Sequence, residues 1–143
     1  YLEKKGCSTK GGGRMESGRH DRRSVGKEGE DLACRLLEEK GHTILERNWR
    51  SGHLEVDIIS FDPEGIHFVE VKTRRSNIQA PPQENVDRSK QGRIIRAARG
   101  FLRTRKGMPY GSHESHFDIM AITFKGDTWT HEWLPQAYIP IYF

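Results

Sequence analysis

The chain has 143 residues, 34% apolar and 31% charged, with a net charge of +4. That length supports one domain with its own core and excludes two. Nowhere does an apolar run reach the ~18 residues of a membrane helix, nothing resembles a signal peptide, and two cysteines are too few for a disulfide framework.

Residues 1–23 contain GGGR, ESGR and HDRR, show no periodicity and read as a disordered extension with Cys7 inside it. Met15 reads as the natural start. Residues 24–143 read as a single domain. Ser24 is placed to cap a helix in which Leu32, Ala33, Leu36 and Leu37 form an apolar stripe, with Cys34 a free thiol, until Gly41 stops it. Glu30 lies at the edge of that stripe. TILERNWR (43–50) is a short strand. Two further strands flank the turn Asp62-Pro63-Glu64-Gly65, which has Asp, Pro and Gly at the positions a turn favours. SNIQAPPQEN (76–85) is a loop, and Asp87 caps a second helix whose Ile94, Ile95, Ala98, Phe101 and Leu102 share one face. HFDIMAITF (116–124) is a strand, TWTHEW (128–133) another, and the apolar tail packs on the core edge. The order αβββαββ predicts an α/β fold, a mixed β-sheet with helices on both faces.

Charge is concentrated. Residues 74–106 carry ten Lys/Arg against two acids, a local +8, while the other 110 residues sum to −4. Such a basic block fits a polyanion-binding face, and also fits a plain solvated helix face.

The hairpin carries acids inside otherwise apolar strands. If the turn pairs Phe61 with Ile66, Asp57 falls opposite Glu70 and Glu55 opposite Lys72, all four on one face with Ile59, Phe61 and Phe68. Leu54, Val56 and Ile58 then share the other face. Opposed carboxylates either share a proton or bind a cation, and a hard divalent ion with oxygen ligands removes their repulsion. Lys72 on the same face suits metal-assisted phosphodiester hydrolysis. Alternatively, Glu55–Lys72 is a cross-strand ion pair and Asp57 faces solvent, and a one-residue slip would separate the acids.

Gly29-Glu30, RNWR (47–50), EVD (55–57), FVEVKTR (68–74), KQGRIIRAARGFL (90–102) and HFDIMAI (116–122) occur in the order of the YraN-type family of small, poorly characterised bacterial proteins. The family resembles the restriction-endonuclease-like nucleases and is closest in plan to archaeal Holliday-junction resolvases. The resemblance covers roughly residues 24–125 and implies the pattern PD-(D/E)xK on a restriction-endonuclease-like core. Asp57 matches its first acid, Glu70 and Lys72 its second acid and lysine, and Glu30 the helical acid of resolvase-like members. Gln91 falls where many members place a substrate-facing glutamine. Asp118 matches a further acid, read as a hydrogen-bonded support rather than a ligand, and Glu55 as another support. Leu54 stands where the family usually has Gly, and Phe101 where it often has Tyr.

The expectation is therefore a cytoplasmic, Mg²⁺- or Mn²⁺-dependent, structure-selective DNA endonuclease, without membrane association. Asp57, Glu70, Glu30 and the Val71 carbonyl would hold the metal, and Lys72 would orient water. Arg74, Arg75, Arg88, Lys90, Arg93 and Arg96, with Gln91, would grip the nucleic acid, in a homodimer where two strands are cut symmetrically. The competing expectation is a nucleic-acid-binding protein with a nuclease-like fold that does not cleave. A zinc site on His113 and His116 is the weakest reading, since no further Cys or His stands at useful spacing.

Overall fold

A computed structural model describes residues 3–7, 22–75 and 88–135. In chain order the elements are β1 (Glu3–Cys7), α1 (Arg22–Glu39), β2 (Thr43–Ser51), β3 (Leu54–Asp62), β4 (Gly65–Arg75), α2 (Arg88–Leu102), a short 3-10 turn (Met108–Tyr110), β5 (Ser115–Lys125) and β6 (Thr128–Leu134). The strands form one six-stranded sheet in the order β1-β6-β5-β4-β3-β2. Among the described strands only β4 and β5 are parallel, because α2 carries the chain back between them. The fold is thus α/β with a mixed sheet, compatible with a restriction-endonuclease-like core.

Each helix buries its stripe on a different face. Leu32, Ala33, Leu36 and Leu37 of α1 pack with Ile58, Val69, Met120, Ile122 and Trp129. Ile94, Ile95, Ala98 and Phe101 of α2 pack with Val56, Ile59, Ile66, Phe68 and Phe117. The central strand β4 is buried from Gly65 to Glu70, so an acid at position 70 is enclosed by the core around it.

Two sequence expectations are corrected here. Residues 3–7 are a strand on the sheet edge, paired with β6 from Glu3↔Trp133 to Cys7↔Trp129, rather than part of a disordered extension. Helix α1 begins at Arg22, so Ser24 lies inside the first turn instead of capping it. The rest of the expected extension, the 76–87 loop with its Asp87 cap, and the tail from 136 lie outside the described residues.

The end of α1 follows from Gly41. Its φ of +92° is a left-handed conformation that a side chain would oppose. Gly41 N–H donates to Glu38 O at 3.0 Å and His42 N–H to Leu37 O at 2.9 Å, a Schellman closure that turns His42 inward.

Candidate active site

The β3–β4 turn sets the register as its residues predict. Asp62 pairs with Gly65, Phe61 with Ile66, and the ladder runs to Ile58↔Val69. There it stops. Asp57 and Glu70, next in register, are not a ladder pair, and β3 continues beside β2 alone while β4 continues beside β5. The Asp57 carboxylate bridges this fork: Val71 N–H donates to its Oδ2 at 2.9 Å. In an extended strand the N–H and C=O of one residue point the same way, so the Val71 carbonyl is directed into the same gap.

Strict alternation also fails at this point. Val56 and Leu54 pack in the α2-side cluster with Ile59 and Phe61, whereas Ile58 packs on the α1 side. The expected grouping of Leu54, Val56 and Ile58 on one face is therefore corrected. The cause lies across β2, where Arg47↔Ile58 and Trp49↔Val56 pair but Asn48, between them, does not. Asn48 has φ +49°, a conformation asparagine tolerates better than bulkier residues. Past it, Trp49 turns onto the α2 side and meets Phe101 edge-on at 5.5 Å.

The rest of the RNWR segment ties down α1 and the rim of the cleft. The Arg47 guanidinium donates to Asp31 Oδ1 at 2.6 Å, and the Asn48 side chain hydrogen-bonds Glu30. Arg50 lies 3.7 Å from Glu55, an exposed pair of little energetic weight. Helix α1 can come close enough because residue 29 is glycine. A Cβ there would stand 2.1 Å from Thr73 Oγ1 on β4.

Glu55, Val56, Asp57, Val69, Glu70, Lys90 and Ile94 line a cleft of about 150 Å³ at the fork. At about 30 Å³ per water, that holds an ion with a few waters but no nucleotide. Glu70 is buried; its Oε1 pairs with the Lys90 ammonium from the first turn of α2, and its Oε2 is buried with no hydrogen-bond partner among the described residues. Among the described residues, Glu30 Oε1 is likewise buried without a hydrogen-bond partner. Burial pushes the Asp57 pKa up to about 6 despite the Val71 N–H, and the charges of Glu70, Glu30 and Glu55 push the same way. Burial is also the main cause that raises Glu30, against its Asn48 hydrogen bond and the Arg47 charge.

These features fit a hard divalent cation. Carboxylate oxygens lacking donors, and a carboxyl reluctant to ionise, are what an oxygen-coordinated cation corrects. The acids are close enough to raise one another but do not form a three-residue set with ligand atoms within 4.8 Å.

Other sequence-predicted residues are distributed around this cleft. Lys72 is half-buried on the same face of β4 as Glu70, and Gln91 is half-buried beside Lys90. Arg93, Arg96 and Arg99 are exposed along α2, Arg75 is exposed at the end of β4, and Arg74 is half-buried. Arg88 opens α2. Asp118 does not belong to the cleft. Its Oδ2 meets His67 Nδ1 at 2.5 Å, deep under the sheet, because β5 pairs Asp118 with Val69, whose neighbours on that face include His67.

Sequence reasoning missed the group to which Asp118 belongs. His42, Asp62 and His67 bring three potential ligand atoms within 4.8 Å of one another. Ser60 directly opposite His67 was the available signal, two polar residues facing each other on an otherwise apolar hairpin face. The pair His113 and His116 does not converge: His113 packs on Phe61 and Tyr110, while His116 stacks on His67.

The pattern of the uncharacterised protein family UPF0102 matches residues 29–122, from the glycine of the helix–strand contact to the end of the β5 core. The chain belongs to the UPF0102 family. A UPF0102 protein of Clostridium perfringens is 41% identical over 110 residues, 77% of this chain and 88% of its own. One from Nitratidesulfovibrio vulgaris is 39% identical over 117 residues, 82% and 85% of the two chains. One from Geobacter metallireducens is 40% identical over 116 residues, 81% and 93%. The matched UPF0102 span contains Glu30, the RNWR segment, the fork acids, Lys72 and α2. Among the described residues, no helix is long and apolar enough to cross a membrane.

Proposed function

We propose that this UPF0102 chain is a metal-dependent, structure-selective DNA endonuclease that hydrolyses phosphodiester bonds in the cytoplasm. The observation that carries the reading is the fork itself. Glu55, Asp57, Glu70 and Lys90 line the cleft, the Glu30 charge acts on Asp57, and among the described residues Glu30 and Glu70 each keep a buried oxygen without a hydrogen-bond partner, with Lys72 on the same face of β4 and exposed arginines along α2.

Asp57, Glu70 and the Val71 carbonyl would hold a Mg²⁺ or Mn²⁺ ion, with Glu30 completing the shell directly or through water. Such an ion supplies Lewis acidity and a lowered pKa for bound water. The Val71 N–H keeps one Asp57 oxygen fixed and leaves the other for the ion. Lys72 orients the attacking water and offsets charge on the phosphate. Arg93, Arg96 and Arg99, with Arg74 and Arg75, grip backbone phosphates, contacts that position DNA without reading its sequence. A homodimer would supply the second cut on a two-stranded substrate.

A non-cleaving nucleic-acid-binding role is the second reading. The Lys90–Glu70 pair favours it, since that ammonium already neutralises one acid without any metal. Cleavage of labelled four-way-junction, flap, single-stranded and duplex DNA with Mg²⁺ or Mn²⁺ separates the two. Under the nuclease reading, wild type cuts at least one substrate, while Asp57→Asn and Glu70→Gln bind it without cutting. Salt-sensitive binding with no cleavage of any of them would transfer the assignment to the second reading.

A further inference from the structure

We propose that His42, Asp62 and His67 form a second metal site, for a zinc-type transition ion, separate from the acidic cleft. The three come from different elements: His42 from the closure of α1, Asp62 from the β3–β4 turn, and His67 from β4. His42 Nε2 lies 3.3 Å from Asp62 Oδ2, and His67 Nε2 lies 2.8 Å from Asp62 Oδ1. Ligand atoms around a tetrahedral ion with bonds of 2.0–2.1 Å stand about 3.3 Å apart, so small movements admit an ion.

The imidazole nitrogens that face away from this point are both held, and the inward carboxylate is fixed by the turn. His67 Nδ1 meets Asp118 Oδ2 at 2.5 Å, and His42 Nδ1 lies 2.9 Å from Ser60 Oγ. The Glu64 N–H donates to Asp62 Oδ1 at 3.0 Å. The His67 ring is further fixed by stacking on His116, with centroids 4.6 Å apart and planes 17° apart. A carboxylate or hydroxyl on the outer imidazole nitrogen is the arrangement that orients a metal-binding histidine and raises its basicity. The side chains of His42 and His67 are 5% and 4% exposed, and that of Asp62 is 12% exposed. Two imidazoles and one carboxylate select zinc-type ions over Mg²⁺ or Ca²⁺, which take oxygen shells.

The site is independent of the nuclease proposal. Asp62 is five residues from Asp57 along β3, about 16 Å at strand rise. A bound ion would tie the end of α1 to the hairpin tip, a structural staple for the strands that carry the acids.

The test uses the full chain stripped with EDTA and titrated with Co²⁺, whose tetrahedral complexes absorb strongly in the visible. One equivalent is expected to saturate the band, Zn²⁺ to abolish it, and Zn²⁺ to raise the Tm. His42→Gln and Asp62→Asn should weaken binding at least tenfold, with far-UV circular dichroism confirming that they fold. Asp118→Asn, which touches no metal, should cost about tenfold. His113→Gln and the cleft variant Glu70→Gln should bind as wild type does. Absence of a tetrahedral Co²⁺ band in wild type overturns the proposal without recourse to any variant. So does unchanged affinity in folded His42→Gln, or loss of the band in Glu70→Gln.

Discussion

Replacing Asp57 by asparagine should stabilise the metal-free protein while removing the proposed activity. Burial and the neighbouring acids raise the Asp57 pKa from 3.8 to about 6 in the native state. Below pH 3.8 the residue is protonated in both folded and unfolded chains and has no effect. Between there and about pH 6 the unfolded chain releases the proton first, so native stability falls as pH rises. Above about pH 6 the loss is constant. A shift of roughly two units, at about 1.4 kcal/mol each, sets that loss at about 3 kcal/mol. Asparagine keeps an oxygen to accept the Val71 N–H and carries no charge, so Asp57→Asn escapes it. Urea unfolding in EDTA, from pH 4 to pH 8, should show the variant near wild type at pH 4 and about 2–3 kcal/mol more stable at pH 8. Titrating groups remote from the cleft are common to both proteins and cancel in the difference, while relief of the neighbouring acids adds to the gap in the same direction. Adding Mg²⁺ should then raise wild type and leave the variant unchanged. A variant no more stable than wild type at pH 8, or a gap that does not grow with pH, would refute the claim that the cleft holds Asp57 against its charge.

Gly29→Ala drives a methyl group into Thr73 and should cost about 1–3 kcal/mol, with Thr73→Ala recovering part of it in a double-mutant cycle read by urea unfolding. Lys90→Met leaves Glu70 buried without its partner and should lower metal-free stability at pH 8 by about 1–3 kcal/mol; Mg²⁺ should restore much of it, as thermal melts with and without the ion would show. Arg93→Glu with Arg96→Glu should weaken DNA binding about equally across sequences. It should also flatten the plot of log affinity against log salt by about 0.9 for each phosphate no longer neutralised, measured by fluorescence anisotropy.

Much of the scaffold could be read from local chemistry. The Asp-Pro-Glu-Gly turn fixed the register, and the apolar spacing of Leu32–Leu37 and Ile94–Leu102 showed which helix faces are buried. Those signals are legible because each depends on residues a few positions apart. What escaped depends on distant ones. The change of face at Asp57 is produced by Asn48 on another strand, and no alternation rule applied to β3 alone contains it. The Lys90–Glu70 pair joins a helix to a strand, so no local pattern contains it. Asp118 reads from sequence as a hydrogen-bonded support, as it is, but its partner His67 follows only from the parallel register. The His42–Asp62–His67 group spans a helix closure, a turn and a strand, and each member had a sufficient local explanation.

The bare backbone at Gly29 also sets the rotational phase of α1. Successive helix residues are about 100° apart around the axis. With Gly29 seated against Thr73, Glu30 is aimed to one side, where Asn48 and the Asp57 charge meet it, and Asp31 a further step round, where Arg47 takes it. A helix docked one residue out of phase would turn by about 100°, carrying its apolar stripe out of the core and both acids off their partners. The missing side chain therefore works as an index mark, admitting one azimuth of the helix and with it one placement of the acid that α1 brings to the fork.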